Sequence, residues 1–200
     1  MKAQEYTYHQ SQQQIQDEAV IIEQAKQNPE RFQPLYDRYY KPVFRYFYKR
    51  VSSEAIAADL TSQLFVKVLQ KIKTYENRGI PFSSWLFRIA YSIVNDYYRK
   101  KKKRVITVQT EDILDWFSEG ESSDSNDQEE KMVKVQWVTE ALKKLKPEQI
   151  DLVEMRFFEG LSFKEIGEIL EIKENTAKVR CFRITEKLMK SWKKHEKDVS

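Results

Sequence analysis

Residues 161–188 have the sequence LSFKEIGEILEIKENTAKVRCFRITEKL, which predicts two short helices joined by a tight turn. Ser162 and Glu165 have the S-x-x-E spacing of a capping box, so we expect a helix to begin at Ser162. A connection from Glu171 to Lys173 follows, and a second helix begins near Glu174. Two short helices with such a connection form a helix-turn-helix unit.

The second of these helices has two distinct faces. Apolar residues at helical spacing form a stripe that we expect to be buried: Ala177, Cys181, Ile184 and Leu188. The outward side combines cations with apolar side chains: Lys178, Val179, Arg180, Phe182 and Arg183. Apolar groups can contact thymine methyls while arginine recognises guanine, so this face is typical of a recognition helix in a DNA major groove. An ordinary helical hairpin with a solvated basic face is the alternative.

A second informative helix is predicted from about residue 83 to residue 104. Its inward stripe is long and regular: Leu86, Ile89, Ala90, Ile93, Val94 and Tyr97. Arg88, Asn95 and Arg99 lie opposite, with Trp85 on one shoulder, and the helix runs into six consecutive cations at 99–104. Cations and aromatic rings on one helix suit contacts with phosphates and unstacked bases, which predicts a surface for single-stranded DNA. A solvated charged face fits the same composition.

The rest of the chain is also predicted to be helical. With only 4 Gly and 5 Pro in 200 residues, a sandwich or barrel lacks its turn signals. A polar tail to about Gln14 precedes a helix near Asp17 to Gln27. We expect a pair of helices across 31–50, with Pro34 and Pro42 at helix starts or kinks. A helix over 54–73, capped by Ser52 or Ser53, buries Ala57, Leu60, Leu64 and Val68, and a loop follows at 74–82.

Charge divides the chain into two small helical domains. Between residues 105 and 130 there are nine acidic residues and no Lys or Arg, which is typical of a flexible linker. We therefore expect an N-terminal tail and first helix at 1–27, a first domain at 28–104, the acidic linker at 105–130 and a second domain at 131–195. The predicted fold class is all-α.

Composition argues against several functional classes. The net charge of +4 is too small by itself to indicate a nucleic-acid partner. Cys181 is the only cysteine, which excludes an intramolecular disulfide and fits a reducing cytoplasm. We find no run near the ~18 apolar residues of a membrane span, and no signal peptide. Neither a nucleophile with a base, nor metal-ligand spacing, nor a phosphate-binding loop is present, so we expect no enzyme, no metal and no cofactor.

The order of these parts resembles the sigma-70-type sigma factors of bacterial RNA polymerase, specifically the short extracytoplasmic-function (ECF) group that keeps conserved regions 2 and 4. The resemblance covers about residues 28–194. In region 2 it rests on FQPLYDRYYKPVFRYF (32–47), AADLTSQLFVKVL (57–69) and PFSSWLFRIAYSIVNDYYRKKKKR (81–104). In region 4 it rests on LKPEQIDLVEMRFFEGLSFKEIGEIL (145–170) and KENTAKVRCFRITEKL (173–188). Departures include Glu171, where the family often has Gly, and Lys173, where it usually has a small hydroxyl residue.

The resemblance implies a non-enzymatic subunit of the RNA polymerase holoenzyme that directs transcription initiation. Region 2 would bind the clamp helices of the largest polymerase subunit through Asp59, Gln63, Val66 and Gln70. It would capture the minus-10 element with a loop and the helix after it, through Asn77, Trp85, Arg88, Asn95, Arg99 and Lys100. Region 4 would bind the flap of the second largest subunit and place Lys178, Val179, Arg180, Phe182 and Arg183 against the minus-35 element.

Further partners and a different class of protein remain open. The resemblance implies an anti-sigma factor as a possible partner, a cytoplasmic location and no membrane insertion. The alternative is a stand-alone helix-turn-helix regulator that binds operator DNA, usually as a dimer on a palindrome. Region 2 separates the two hypotheses, because a stand-alone regulator has no use for a polymerase-docking domain.

Overall fold

The computed structural model describes residues 12–51, 53–101 and 128–199, and within these ranges the regular structure is entirely helical. The predicted all-α class is confirmed. Eight α-helices occur in the described residues: α1 (Gln12–Gln27), α2 (Gln33–Val51), α3 (Glu54–Lys71), α4 (Phe82–Lys101), α5 (Gln128–Lys143), α6 (Pro147–Val153), α7 (Phe163–Leu170) and α8 (Glu174–Val199). None of these helices is long and apolar enough to span a membrane.

Two predicted segments fall wholly or partly outside the described residues. Most of the acidic linker, at 105–127, lies outside them, as do residues 1–11 of the predicted tail. The last three residues of the predicted linker, 128–130, form the first turn of α5, and Gln12 to Gln14 belong to α1 instead of the tail.

Helix α2 corrects the prediction of two helices across 31–50. A short 3-10 helix at Pro29–Phe32 leads into one continuous helix, with Pro34 in its first turn and Pro42 inside it. Proline in the first turn costs little because the N–H groups there have no intrahelical partner. At Pro42 the helix persists, although interior proline costs about 3 kcal/mol, because α2 buries Val43 and Phe47 completely against α3 and α4. Tertiary packing therefore outweighs the local breaker.

Helix α1 is tied to α2 through a buried carboxylate. The side chain of Glu18 is 1% exposed and accepts hydrogen bonds from Arg38 Nη1 and Tyr39 Oη, each at 2.7 Å. The hydrogen bond that Arg38 donates to Glu18 raises the pKa of the Arg38 guanidinium. Because a buried carboxylate needs such donors, this contact fixes where α1 lies on the first helical unit.

Helices α3 and α4 complete this unit, and each contains a predicted stripe of buried apolar residues. Ser53 is the N-cap residue of α3, without a side-chain hydrogen bond, and Ala57, Leu60, Leu64 and Val68 are buried as expected. The predicted loop is shorter than 74–82, because a 3-10 turn occupies Ile72–Thr74 and α4 already begins at Phe82. The stripe of α4 is buried from Leu86 to Val94.

The second unit comprises α5 to α8. Helix α6 begins at Pro147 and continues as a π-helical turn over Glu154–Phe158. Both α6 and α7 pack against α8, around fully or nearly fully buried side chains that include Leu142, Ile150, Ile166 and Ile169. Helix α7 also packs against α4, so the two units contact each other directly.

Candidate nucleic-acid and protein interfaces

The predicted capping box at the start of α7 is present. The N–H of Ser162 donates to Glu165 Oε2 at 2.8 Å, and the N–H of Glu165 donates to Ser162 Oγ at 3.2 Å. Two backbone donors that lack intrahelical partners are thereby satisfied, which sets the first residue of the helix. The N-terminal boundary of the helix-turn-helix unit is therefore encoded locally.

The turn between α7 and α8 is tight and involves one strained residue. Glu171 ends α7 in the left-handed region, with φ 55° and ψ 41°, and the N–H of Ile172 donates to the carbonyl of Gly167 at 2.9 Å. A Cβ on Gly167 would lie 2.7 Å from the carbonyl oxygen of Ile172. The close approach therefore requires glycine at 167, a requirement that the sequence analysis missed.

The outward face of α8 agrees with the predicted helical phase. Ala177, Cys181 and Ile184 are buried, whereas the five predicted minus-35 residues are exposed: Lys178, Val179, Arg180, Phe182 and Arg183. Phe182 is 58% exposed and contacts the ring of Phe163 at 6.3 Å between centroids. Burial raises the pKa of the Cys181 thiol, so this cysteine is a core residue and not a reactive group.

The predicted minus-10 loop forms one wall of a small pocket at the start of α4. The residues that line it include Tyr75, Arg78, Trp85 and Arg88, together with Glu168 from α7. Trp85 is 9% exposed, with its ring 5.2 Å from Tyr75 and 5.4 Å from Phe82 between centroids. Burial raises the pKa of Tyr75 to about 12, so its hydroxyl stays protonated. Trp85 therefore lines the pocket with only a small part of its surface exposed.

Asn77 shapes the loop that carries it. Its side-chain Oδ1 accepts a hydrogen bond from the N–H of Gly79 at 2.9 Å, and Gly79 has φ +66°. This local contact mimics a backbone turn and holds the exposed loop in place. The Asn77 side chain is thus available at the surface while also positioning the loop.

The cations predicted to follow the DNA strand lie in different surroundings along α4. Arg88 Nη1 lies 3.1 Å from Glu168 Oε1 and 3.7 Å from Glu171 Oε1. Asn95 is half-buried, Arg99 is exposed and pairs with Asp96 at 3.0 Å, and Lys100 is exposed. Of these cations, Arg88 is held by the second helical unit, whereas the last turn of α4 faces solvent.

The predicted polymerase-docking residues share the outer face of α3. Asp59, Gln63, Val66 and Gln70 are all exposed, and Gln63 Nε2 donates to Asp59 Oδ2 at 2.9 Å. The structure adds a neighbour that the sequence analysis missed, an aromatic column on α2. Tyr36, Tyr40 and Phe44 follow one another at 5.4 and 6.4 Å between centroids, and Tyr36 lies 4.6 Å from Phe65 of α3. The i, i+4 spacing of these three aromatic residues in the sequence could have predicted the column.

A metal-binding arrangement was not expected from the sequence. Among the residues that the structure describes, no cluster of three or more His, Cys, Asp or Glu side chains could hold a metal ion.

Two family models match the chain in the predicted order. Residues 35–104 match the model described as Sigma-70 region 2, and residues 135–188 match the model described as Sigma-70, region 4. The two matches correspond to the unit of α2 to α4 and the unit of α5 to α8.

Curated relatives are sigma factors. The ECF RNA polymerase sigma factor BldN of Streptomyces coelicolor is 33% identical over 164 residues, which are 82% of this chain and 61% of BldN. The chain therefore spans about three fifths of that relative. The ECF RNA polymerase sigma factor SigW of Bacillus subtilis is 28% identical over 177 residues, 84% of this chain and 93% of SigW.

A solved structure shares the fold. CnrH, whose structure was determined in complex with the cytosolic domain of CnrY, superposes with a TM-score of 0.56 at 19% identity. The superposition covers 87% of this chain and 96% of that one.

Proposed function

The chain belongs to the sigma-70 family of RNA polymerase sigma factors, in its extracytoplasmic-function group, and we propose that it directs promoter-specific transcription initiation by core RNA polymerase. The observation that carries this proposal is the combination of two units in one chain. A helix-turn-helix with an exposed Arg183, Val179 and Phe182 follows a helical unit, α2 to α4, that matches region 2. A stand-alone regulator needs only the helix-turn-helix.

In this function region 4 recognises the minus-35 element from the major groove. The exposed face of α8 supports the proposal, because Arg183 can donate two hydrogen bonds to guanine while Val179 and Phe182 contact thymine methyls. Lys178 and Arg180 flank this patch and suit phosphate contacts. These roles follow from residue type, exposure and helical phase.

Region 2 recognises and melts the minus-10 element. The pocket beside Trp85 and the exposed loop at Asn77 support capture of an extruded base, since aromatic and polar side chains line the pocket and Asn77 is exposed on the neighbouring loop. Four residues along α4, beginning at the pocket, would contact the DNA strand: Arg88, Asn95, Arg99 and Lys100. Single-stranded DNA is then held by stacking and by charge.

Core polymerase binds to the outer face of α3. Val66 is 55% exposed and Leu69 is 40% exposed, and the aromatic column of Tyr36, Tyr40 and Phe44 lies beside them. Exposed apolar side chains grouped in this way mark protein interaction sites. The clamp helices of the largest polymerase subunit are the proposed partner of this face, and the flap of the second largest subunit is the proposed partner of region 4.

The proposed function has consequences for chemistry and location. The protein acts as a non-enzymatic subunit without a cofactor, and it works in the cytoplasm where the polymerase and the DNA are. By resemblance to the family, an anti-sigma factor is a further proposed partner.

Co-migration with core RNA polymerase on a sizing column, followed by transcription from a genomic fragment library, tests the proposal. We expect a complex and initiation at a defined set of promoters. Val66→Asp should abolish the complex, whereas Val20→Asp, at a valine with a similar exposure of 57% on α1, should not. Failure of the unaltered protein to co-migrate, together with dimeric binding to a palindrome, would favour the stand-alone regulator.

A further inference from the structure

Helix α1 lies outside the region 2 match but packs against the elements that build the proposed minus-10 pocket. The match begins at residue 35, whereas α1 ends at Gln27. Helix α1 nevertheless packs on the 3-10 turn Ile72–Thr74, which leads into the minus-10 loop (residues 75–81), and on α4, which follows that loop. Four buried residues at helical spacing form its inner face: Ile15, Glu18, Ile22 and Ala25. Both neighbours of the minus-10 loop therefore depend on α1 for their packing.

The last turn of α1 places Lys26 over the first residue of the minus-10 loop. Lys26 Nζ lies 6.0 Å from the ring centroid of Tyr75, and it donates a hydrogen bond to Glu23 Oε1 at 2.7 Å. The Lys26 side chain is only 19% exposed. An ammonium group within about 6 Å of a ring face is attracted by the quadrupole of the ring, and the attraction grows as water is excluded. Lys26 therefore holds Tyr75 against α1.

Tyr75 connects this contact to the pocket. Its ring is 7% exposed and packs edge to face on Phe82 and Trp85, at 5.2 Å between centroids in each case. Such pairs have a preferred geometry, so the position of one ring restricts the position of the other. Tyr75 and Trp85 line the proposed pocket, whereas Lys26 is not among its lining residues. Lys26 therefore acts on an extruded base through Tyr75 instead of touching it.

A second contact joins α1 to the same aromatic cluster. Tyr39 Oη donates to the buried Glu18 carboxylate at 2.7 Å, and the Tyr39 ring lies 5.8 Å from the Phe82 ring between centroids. Glu18 precedes Lys26 by about two helical turns, so the two contacts together fix the position of α1 along the cluster. The aromatic side chains behind the pocket are therefore held from α1 at two points.

We propose that α1 is a functional part of the minus-10 site, with Lys26 as a positioning residue that holds Tyr75, and through it Trp85 and the minus-10 loop, in the geometry that receives an extruded base. This inference rests on the proposed function for the role of the pocket. A site that is already held in its binding geometry loses less conformational freedom when the base enters, which raises the affinity. The region 2 match does not include this support, because it begins after α1.

The first experiment tests the positioning without any assumption about transcription. Amide hydrogen exchange of the free protein is measured for Lys26→Met, which keeps a long apolar side chain and removes the ammonium. The hydrogen-bonded amides of Tyr75 and Gly79 should exchange about threefold faster or more, because the loop opens more often without the contact. Lys26→Arg should restore the slow exchange, since a guanidinium also binds to the face of an aromatic ring.

Lys143→Met is the matched control for the first experiment. Lys143 pairs with Glu140 three residues earlier, as Lys26 pairs with Glu23, but it lies in α5 of the second unit. The control variant removes the same charge and the same kind of ion pair. Exchange in the minus-10 loop should stay unchanged in this variant.

The second experiment tests the consequence for the minus-10 strand. The probe is a single strand with the minus-10 sequence of a promoter obtained from the genomic fragment library, and it is bound to the holoenzyme. Lys26→Met should weaken binding by about three- to tenfold, while the slope against salt and the affinity for core polymerase stay unchanged. In a Tyr75→Leu background, Lys26→Met should have no further effect, because the ring through which it acts is absent. Lys26→Arg should recover the affinity, which keeps the test decisive if Tyr75→Leu does not fold.

The outcomes separate this inference from the proposed function. Unchanged exchange in Lys26→Met would overturn the positioning role. A salt slope reduced by about one phosphate contact, or a full loss of affinity on adding Lys26→Met to Tyr75→Leu, would show that Lys26 binds DNA directly and would overturn it as well. If the unaltered protein neither binds core polymerase nor initiates from any promoter, the proposed function fails, and the exchange result still decides whether Lys26 holds the loop.

Discussion

At the scale of single residues, the proposed base recognition depends on the surroundings of Arg183. It projects from the exposed face of α8 between apolar neighbours, with Val179 40% and Phe182 58% exposed. A bidentate contact from arginine to guanine discriminates by about 1–3 kcal/mol against other bases. Apolar contacts on either side favour thymine methyls, so this patch is where sequence preference should reside.

Replacing Arg183 by alanine should lower transcription from the cognate promoter and flatten the preference at one minus-35 base pair. Binding to that site should weaken by about 1–3 kcal/mol. The thermal midpoint should hardly change, because exposed substitutions usually alter stability by less than about 0.5 kcal/mol. Competition among promoters that are varied at each minus-35 position measures the preference.

Lys190→Ala is the matched control on the same helix. Lys190 is exposed and pairs with Glu186 at 2.7 Å, which lowers the pKa of that carboxyl. Its loss should change the salt dependence by about one phosphate contact and affect all sequences alike. If Arg183→Ala unfolds the second unit, or if both variants change only the salt dependence, the assignment of Arg183 to base recognition is wrong.

At the scale of elements, the packing of α7 against α8 depends on the absence of a side chain at Gly167. Gly167 lies inside α7, and a Cβ there would lie 2.7 Å from the Ile172 carbonyl oxygen and 3.3 Å from the Glu174 nitrogen. Both atoms belong to the backbone, so neither can move aside by a rotamer change. The angle between the two helices is therefore coupled to this residue.

Gly167→Ala should destabilise the second unit by about 1–2 kcal/mol. Overpacking costs roughly 1–3 kcal/mol, and the better helix propensity of alanine returns up to about 1 kcal/mol. Promoter binding should weaken as well, because the turn must open and α8 must shift. Chemical denaturation monitored by circular dichroism checks the stability, and Lys164→Ala, at an exposed residue of α7, should be nearly neutral. A stabilised Gly167→Ala variant would contradict this account.

At the scale of the whole molecule, the two units are joined by charges far apart in sequence. Arg50 and Glu154 are separated by 104 residues, and Arg50 also donates to the Tyr46 carbonyl and lies 3.7 Å from the Tyr46 ring centroid. Removing one partner leaves a buried charge without its counter-ion, whereas replacing both by apolar groups removes the desolvation cost as well.

Glu154→Gln alone should weaken the contact between the units by about 3 kcal/mol. The double variant Arg50→Met with Glu154→Met should lose clearly less, because no unpaired charge remains buried. Tryptophan fluorescence during denaturant titration measures the stability. Small-angle X-ray scattering measures whether the two units remain in contact. A loss in the double variant as large as that in Glu154→Gln, or larger, would contradict the account of a buried ion pair.

The sequence by itself determined the fold class, the order of the two units and the direction in which most helix faces point. Capping at Ser162 and the stripe of Ala177, Cys181 and Ile184 depend on neighbours within four residues, so their spacing alone predicts them. The family resemblance rests on the same local patterns. The exposure of Arg183 is likewise predicted by helical spacing alone.

Tertiary structure alone decided the continuity of α2 through Pro42, the burial of most of Trp85 and the partners of Arg88 and Arg50. Packing against α3 and α4 outweighs the local effect of proline, which no spacing within α2 indicates. The partners of Arg88 and Arg50 lie 80 and 104 residues away along the chain. Such contacts depend on how the two units pack against each other. Helical periodicity indicates only which face of each helix is buried.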